Sequence, residues 1–109
     1  MNLSIEVNEQ EVTKSLKLAG EIDAYTAPKL KEALLPLVKN RQATVIVDLE
    51  DVNYMDSTGL GVFISALKAT KEFESELKLV SLQDRVRRLF EITGLDNIIN
   101  IDSTVRGGK

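Results

Sequence analysis

The chain has 109 residues, of which 43% are hydrophobic, and 14 basic against 17 acidic side chains give a net charge of −3. This length fits one domain with a single core, spanning residues 1–109, and the acidic balance disfavours nucleic acid as a partner. With no Cys and no His, the chain lacks disulfides, the commonest metal ligands and the usual general base of enzymes. We therefore expect no metal site, and enzymatic chemistry is disfavoured, although Asp, Glu, Lys and Ser chemistry remains open.

Membrane and export signals are missing from the sequence. No apolar run approaches the roughly 18 residues of a membrane span, and residues 1–6 lack the basic and then apolar layout of a signal peptide. The sequence therefore predicts a soluble, unprocessed protein with no membrane partner, and the lack of Cys fits a cytoplasmic location.

The first half of the chain predicts a β-hairpin followed by a helix. Apolar residues alternate with polar ones over residues 3–7, and less strictly over residues 12–18. After a break at residues 20–25, Thr26 as a cap and Pro28 in the first turn predict a helix. The apolar face of this helix is formed by Leu30, Ala33, Leu34, Leu37 and Val38. Pro36 cannot donate a hydrogen bond, so we expect a kink or an irregular last turn.

The second half alternates strands and helices. Residues 43–49 are nearly all β-branched or apolar, which predicts a central strand covered on both faces, with a loop through Val52 and Tyr54 after it. A helical core stripe then begins just after Ser57. Its members are Leu60, Phe63, Ile64 and Leu67. A short strand follows at residues 77–80.

The C-terminal part predicts a third helix and a last short element. Asp84 can cap this helix, and Gly94 can close it as the residue after its end. Residues 98–101 predict a short strand or turn, and residues 103–109 a frayed tail. The whole order is an α/β alternation, in which the loops that leave the strand ends lie near one another.

The connection around Ser57 is the strongest candidate for function. It places small, hydroxylated and flexible residues at a helix N-terminus, where backbone N–H groups and the helix dipole favour anions. A phosphate on Ser57 would add charge of about −1.5 to −2 at that end, and would change binding while leaving the fold intact. The alternative is that Asp56 or Ser57 only caps the helix, and that Gly59 and Gly61 only let it pack on the sheet.

Two enzymatic interpretations of the same segment fit poorly. A nucleotide-binding loop needs Lys and Ser or Thr directly after its second glycine, and the first Lys after this segment is Lys68. A serine nucleophile needs a base, and the chain has no His to take the proton of Ser57. Ser57 is therefore better interpreted as a substrate than as a catalyst.

Four segments together resemble the STAS-domain anti-sigma factor antagonists. They are GEID at residues 20–23, VDL at 47–49, YMDSTGLGV at 54–62 and LFEITGL at 89–95, and they occur in the family's order over almost the whole chain. The resemblance implies an α/β STAS fold, with a mixed sheet of four to five strands and three to four α-helices packed against it. It is closest to the antagonists of the general stress response (sigma-B), with the sporulation antagonist as the nearest alternative.

The resemblance also implies a partner-switching cycle without enzymatic activity in this chain. The unphosphorylated antagonist binds an anti-sigma factor that is also a serine kinase and thereby releases the sigma factor for stress-responsive transcription. That kinase phosphorylates the residue matching Ser57, with Thr58 as a minor site, and a PP2C-like phosphatase reverses the reaction. The ATP and the metal belong to those enzymes, so no cofactor is expected here, and a monomer is the expected free state.

The residues expected to contact the kinase surround Ser57. They are Asp23, Tyr25, Asp56, Thr58, Gly59, Leu60 and Gly61. With Asp23 and Asp56 at its sides, the phosphate would add charge to a negative patch and weaken binding. A loop cap is the alternative role for Asp23 and a packed aromatic ring the alternative for Tyr25. The remaining functional alternatives are a STAS subunit of a nucleotide-sensing or transporter-linked system, and the antagonist of another sigma factor.

Overall fold

The computed structural model describes residues 2–102, which form five β-strands, three α-helices and one short 3-10 helix. The strands are β1 (Leu3–Glu9), β2 (Thr13–Ile22), β3 (Thr44–Met55), β4 (Glu76–Val80) and β5 (Asn100–Ile101). The helices are α1 (Ala27–Val38), α2 (Ser57–Phe73) and α3 (Asp84–Ile92), and the 3-10 helix covers Leu95–Asn97. No helix in this range has the length and hydropathy needed to span a bilayer. The predicted frayed tail, residues 103–109, lies outside the described residues.

The strands form one mixed sheet in the order β1-β2-β3-β4-β5. β1 and β2 pair antiparallel, whereas β2 with β3, β3 with β4 and β4 with β5 pair in parallel. Each parallel step is connected through one of the three α-helices, because neighbouring parallel strands need a crossover. The predicted fold, a mixed sheet of four to five strands with three to four helices against it, is confirmed for the described residues.

The helices pack on one face of the sheet. In β3 the odd-numbered residues from 45 to 49 are buried, while the even-numbered residues from 44 to 50 are half exposed. Phe63 of α2 and Phe90 of α3 are fully buried and meet edge to face with ring centroids 6.0 Å apart, so both helices share one core. The prediction that this strand is covered on both faces is therefore wrong. The opposite face carries half-exposed polar side chains such as Lys17 and Asp48.

β2 and β3 both run further than the sequence predicts. β2 continues through Gly20 to Ile22, and β3 continues to Met55 where a loop was expected. The two extensions pair with each other after register shifts in β2 between residues 17 and 19 and between residues 20 and 21. Gly20 has a φ of +122°, and a side chain there would collide with the carbonyl of Asn2. These irregularities interrupt the alternation of apolar and polar residues on which strand prediction depends.

The helix ends differ in detail from the predictions. α1 continues for two residues beyond Pro36, and the N–H of Lys39 still donates to the carbonyl of Leu35 at 3.0 Å. α3 begins at Asp84, with Gln83 at the cap position, so the prediction that Asp84 caps it is wrong. The side chain of Gln83 instead donates to the carbonyl of Glu50 in β3 at 2.8 Å, which ties the start of α3 to the sheet. Gly94 follows α3 with a φ of +78°, as predicted.

Candidate functional site

The fold brings the two predicted loops together. Ile22 and Met55 are paired at the ends of the neighbouring strands β2 and β3. Directly beyond that pair, the N–H of Asp56 donates to the carbonyl of Ile22 at 3.2 Å. The loop that begins at Asp23 and the turn that begins at Asp56 therefore lie side by side at the carboxyl edge of the sheet, where α/β proteins place their functional loops.

Asp56, not Ser57, caps α2. Asp56 has an extended backbone, and its Oδ1 accepts hydrogen bonds from the N–H groups of Thr58 at 2.9 Å and Gly59 at 3.1 Å. Ser57 is the first helical residue and is exposed. Within residues 2–102 its hydroxyl has no hydrogen-bond partner. The alternative in which Ser57 serves the fold as the cap is therefore excluded.

Asp56 also occupies the backbone donors at the start of α2. Its side chain holds the N–H groups of Thr58 and Gly59, and its carbonyl accepts from the N–H of Leu60 at 3.0 Å. In the first turn only the N–H of Ser57 itself has no acceptor among the described residues. A phosphate at this position would find all but one of the first-turn N–H groups already bonded to Asp56, so most of its charge would stay uncompensated at the surface.

Asp23 is buried and organises its own loop. It is 7% exposed, and its Oδ1 accepts from the N–H groups of Tyr25 at 2.9 Å and Thr26 at 3.0 Å. The hydroxyl of Thr26 accepts from the N–H of Asp23 at 2.9 Å and donates to the carbonyl of Glu21 at 2.8 Å. Thr26 stands at the predicted cap position of α1, but its side chain bonds to this loop instead of the helix.

Tyr25 projects from the loop that Asp23 holds. Its side chain is 85% exposed, although an aromatic ring gains about 2 kcal/mol or more from full burial. The alternative of a packed aromatic ring is therefore excluded for the isolated chain. The loop fixes the backbone of Tyr25 through Asp23 while the ring stays available for contact, which suits recognition of another surface.

The two glycines of the segment have different surroundings. A Cβ on Gly59 would lie 2.7 Å from Cγ2 of Ile22 and 2.8 Å from Cγ of Met55, whereas a Cβ on Gly61 would meet nothing within 4 Å. Gly59 therefore lets α2 approach the ends of β2 and β3, which fixes the position of Ser57. Leu60 is 6% exposed and belongs to the core. Gly59 and Leu60 thus shape the site from within, while Thr58 is exposed beside Ser57.

Gly59→Ala is expected to destabilise the protein by about 1–2 kcal/mol. Overpacking a core typically costs about 1–3 kcal/mol, and the better helix propensity of alanine offsets up to about 1 kcal/mol. Urea denaturation of the variant beside wild type measures the difference. Equal stability would show that the side chains of Ile22 and Met55 move aside freely and that Gly59 does not set the helix position.

A shallow groove between α1 and α2 begins next to Ser57 and was not predicted from the sequence. Its lining residues are Ala24, Ala27, Pro28, Lys31, Thr58, Gly61, Val62 and Ser65. The available signal was the spacing of Pro28 and Lys31, three residues apart on the outer side of α1, but only the packing of α1 against α2 shows that they face Gly61.

One charged cluster lies away from this site, on the uncovered sheet face. The amino group of Lys17 lies 3.5 Å from Asp48, 3.7 Å from Glu50 and 3.4 Å from Asp51. Desolvation lowers the pKa of Lys17, but the attraction of Asp48 and Asp51 outweighs it, so the net pKa is raised above the ordinary value. No group of three or more acidic side chains within residues 2–102 is arranged to hold a metal ion.

Comparison with known proteins places this architecture in a family. The STAS domain model matches residues 4–108, so the chain belongs to the STAS domain family. The chain is 53% identical over 102 residues to the anti-sigma-B factor antagonist of Listeria monocytogenes, a match that covers 93% of this chain and 90% of that protein. The resemblance found in the four sequence segments is thereby confirmed.

Solved structures share the fold at lower sequence identity. An anti-sigma factor antagonist from Mycobacterium paratuberculosis superposes with a TM-score of 0.83 at 23% identity, covering 98% of this chain and 91% of that one. The Bacillus cell fate determinant SpoIIAA, solved in its phosphorylated form, superposes with a TM-score of 0.71 at 18% identity, covering 92% of each chain. At these identities the comparison establishes a common fold.

Proposed function

We propose that this protein is an anti-sigma factor antagonist whose binding is switched by phosphorylation of Ser57. The observation that carries the proposal is that the two residues at the start of α2 have different roles. Asp56 caps the helix, and Ser57 presents an exposed, unbonded hydroxyl. The identity of 53% to an anti-sigma-B factor antagonist supports the assignment. The phosphorylated form of SpoIIAA supports covalent regulation on the same fold.

The proposed cycle has two partners. The unphosphorylated protein binds an anti-sigma factor that is also a serine kinase, and so releases sigma-B for stress-responsive transcription in the cytoplasm. The kinase phosphorylates Ser57 with ATP, and a PP2C-like phosphatase removes the phosphate. This chain acts as binding module and substrate, not as an enzyme, because the reacting groups other than the Ser57 hydroxyl come from the partners.

Surface charge explains how the phosphate ends binding. Of the first-turn N–H groups that could neutralise it, only that of Ser57 is unbonded among the described residues. The N–H groups of Thr58, Gly59 and Leu60 already bond to Asp56, whose carboxylate adds a like charge next to the phosphate. The partner would therefore have to desolvate a largely uncompensated phosphate charge against the first turn of α2, at an interface where unpaired charge is strongly unfavourable. Because the cap of α2 does not involve Ser57, the fold itself is unaffected.

The contact surface is assigned residue by residue. Tyr25, Ser57 and Thr58 are exposed and supply direct contacts, with the partly exposed Asp56 between the two loops. Asp23 is buried and supports Tyr25 from behind, so its role is positioning. Gly59 and Leu60 hold α2 on the sheet, and Gly61 lines the adjoining groove.

Incubation of the purified protein with the serine-kinase anti-sigma factor of its own organism and ATP is expected to add one phosphate. Peptide mapping should place it on Ser57, and Ser57→Ala should abolish it. Thr58→Ala is the matched control for the position of the phosphate, because Thr58 is the neighbouring exposed hydroxyl, and this variant should still carry its phosphate on Ser57.

The outcomes of this experiment separate the candidate functions. A phosphate on Ser57 with weakened kinase binding afterwards supports the switch. Binding without phosphorylation would retain the antagonist and reject the switch. Absence of both, together with ATP or GTP binding by the isolated protein, would favour a nucleotide-sensing STAS subunit, and co-purification with a membrane complex would favour a transporter-linked one.

A further inference from the structure

Gly61 has no structural reason to be a glycine within the described residues. It lies in the second turn of α2, and a Cβ added there would meet nothing within 4 Å. Alanine would fit and would favour the helix, since glycine is among the poorest residues in a helix interior. A residue that lowers stability with no internal compensation is expected where function requires it.

The position of Gly61 links it to the phosphorylation site. Gly61 is four residues after Ser57 and therefore lies on the same side of α2, one helical turn further along. A kinase that brings ATP to the hydroxyl of Ser57 must cover this turn. Thr58, the neighbour of Ser57, and Gly61 both line the groove between α1 and α2, so the groove is continuous with the surface that the kinase must contact.

The groove could bind an apolar side chain, and a positively charged residue lies at its edge. Its apolar lining includes Ala24, Ala27, Pro28 and Val62, and Lys31 of α1 lines it as well. Lys31 is exposed and has no ion-pair partner among residues 2–102. An occupant that is apolar at its tip and acidic beside it would complement both features.

We propose that the anti-sigma factor seats an aliphatic side chain in this groove, against the bare backbone of Gly61, and sets an acidic side chain opposite Lys31. The inference rests on the proposed function. It identifies the groove between α1 and α2 as the part of the surface that distinguishes the anti-sigma factor from other proteins by its shape. Gly61 keeps the groove open, so that the partner's backbone approaches α2 closely enough for Ser57 to reach the ATP.

Gly61→Ala and Gly61→Leu test this proposal in the full chain. Gly61→Ala is expected to raise the melting temperature by about 4 °C through its helix propensity. The same variant should bind the anti-sigma factor about tenfold more weakly, and Gly61→Leu at least about 100-fold more weakly, as filling the groove excludes the partner. Glu72→Leu is the matched control, since Glu72 is exposed on the same side of α2 about 16 Å further along, and its affinity should stay within about twofold.

A second pair of variants tests the positive charge of Lys31 at the edge of the groove. Lys31→Glu should weaken binding about tenfold and more strongly at low salt, whereas Lys39→Glu, just past the far end of α1, should not. Wild-type affinity of Gly61→Leu would overturn the proposal, and so would a lower melting temperature of Gly61→Ala, which would give the glycine a structural role. If wild type itself neither binds nor is phosphorylated, the proposed function fails and this inference fails with it.

Discussion

Ser57→Asp is expected to weaken binding of the anti-sigma factor about 100-fold, or about 2.7 kcal/mol, while the melting temperature stays within about 2 °C of wild type. An acidic residue in the first turn of a helix is favourable in itself, so the fold tolerates it. The carboxylate would stand next to Asp56, whose side chain already holds the N–H groups of Thr58 and Gly59. Only the N–H of residue 57 itself is left to neutralise the new charge, so the partner has to desolvate a largely uncompensated carboxylate. Calorimetric titration and thermal melting measure the two quantities.

Two control variants separate the effect of a negative charge at position 57 from the effect of side-chain size there and from the effect of the protein's net charge. Ser57→Asn has nearly the same shape as Ser57→Asp without the charge, and should bind within about threefold of wild type. Ser4→Asp adds the same charge at an exposed position of β1, on the sheet face opposite the helices, and should also leave binding unchanged. Equal losses for Ser57→Asn and Ser57→Asp would show that shape at Ser57 decides binding, and tight binding by Ser57→Asp would contradict the electrostatic account.

The order and type of the longer elements were predictable because most of them carry a periodic pattern of apolar residues. The stripe that begins at Leu60 reflects burial of Leu60 and Phe63, although Ile64 is 36% exposed, and in the alternation at residues 3–7 Leu3 is buried while Val7 is 46% exposed. The extension of β3 to Met55 was not predictable. It depends on pairing with the irregular end of β2, where Gly20 allows a conformation that no local pattern records.

The sequence predicted where the candidate site lies along the chain, but not which role each of its residues has. The sequence identifies the segment around Ser57, yet spacing alone does not decide whether Asp56 or Ser57 caps the helix, because both residue types serve as caps. The backbone of Asp56 and its two hydrogen bonds decide it. In the same way Gly59 and Gly61 are equivalent in sequence, and only the neighbouring side chains of Ile22 and Met55 distinguish them.

Asp23 is the residue for which sequence and structure suggest different mechanisms. The sequence predicts a carboxylate whose charge flanks Ser57 at the interface. In the structure the carboxylate is buried and accepts hydrogen bonds from the N–H groups of Tyr25 and Thr26. Asp23 should therefore affect binding by holding Tyr25 in position. The hydrogen-bond acceptor Oδ1 of Asp23 should matter more for binding than the negative charge of the carboxylate.

Asp23→Ala is expected to destabilise the protein by about 2–3 kcal/mol and to weaken binding of the anti-sigma factor at least about tenfold. The change leaves the N–H groups of Tyr25 and Thr26 without their acceptor, each at a penalty of about 1–3 kcal/mol when buried, and frees the loop that presents Tyr25. Asp23→Asn keeps a carbonyl oxygen in place of Oδ1 and should stay within about 1 kcal/mol in stability and about threefold in affinity. Urea denaturation and calorimetric titration of both variants decide the mechanism: a stable Asp23→Asn variant that binds as weakly as Asp23→Ala would assign the role to the charge itself.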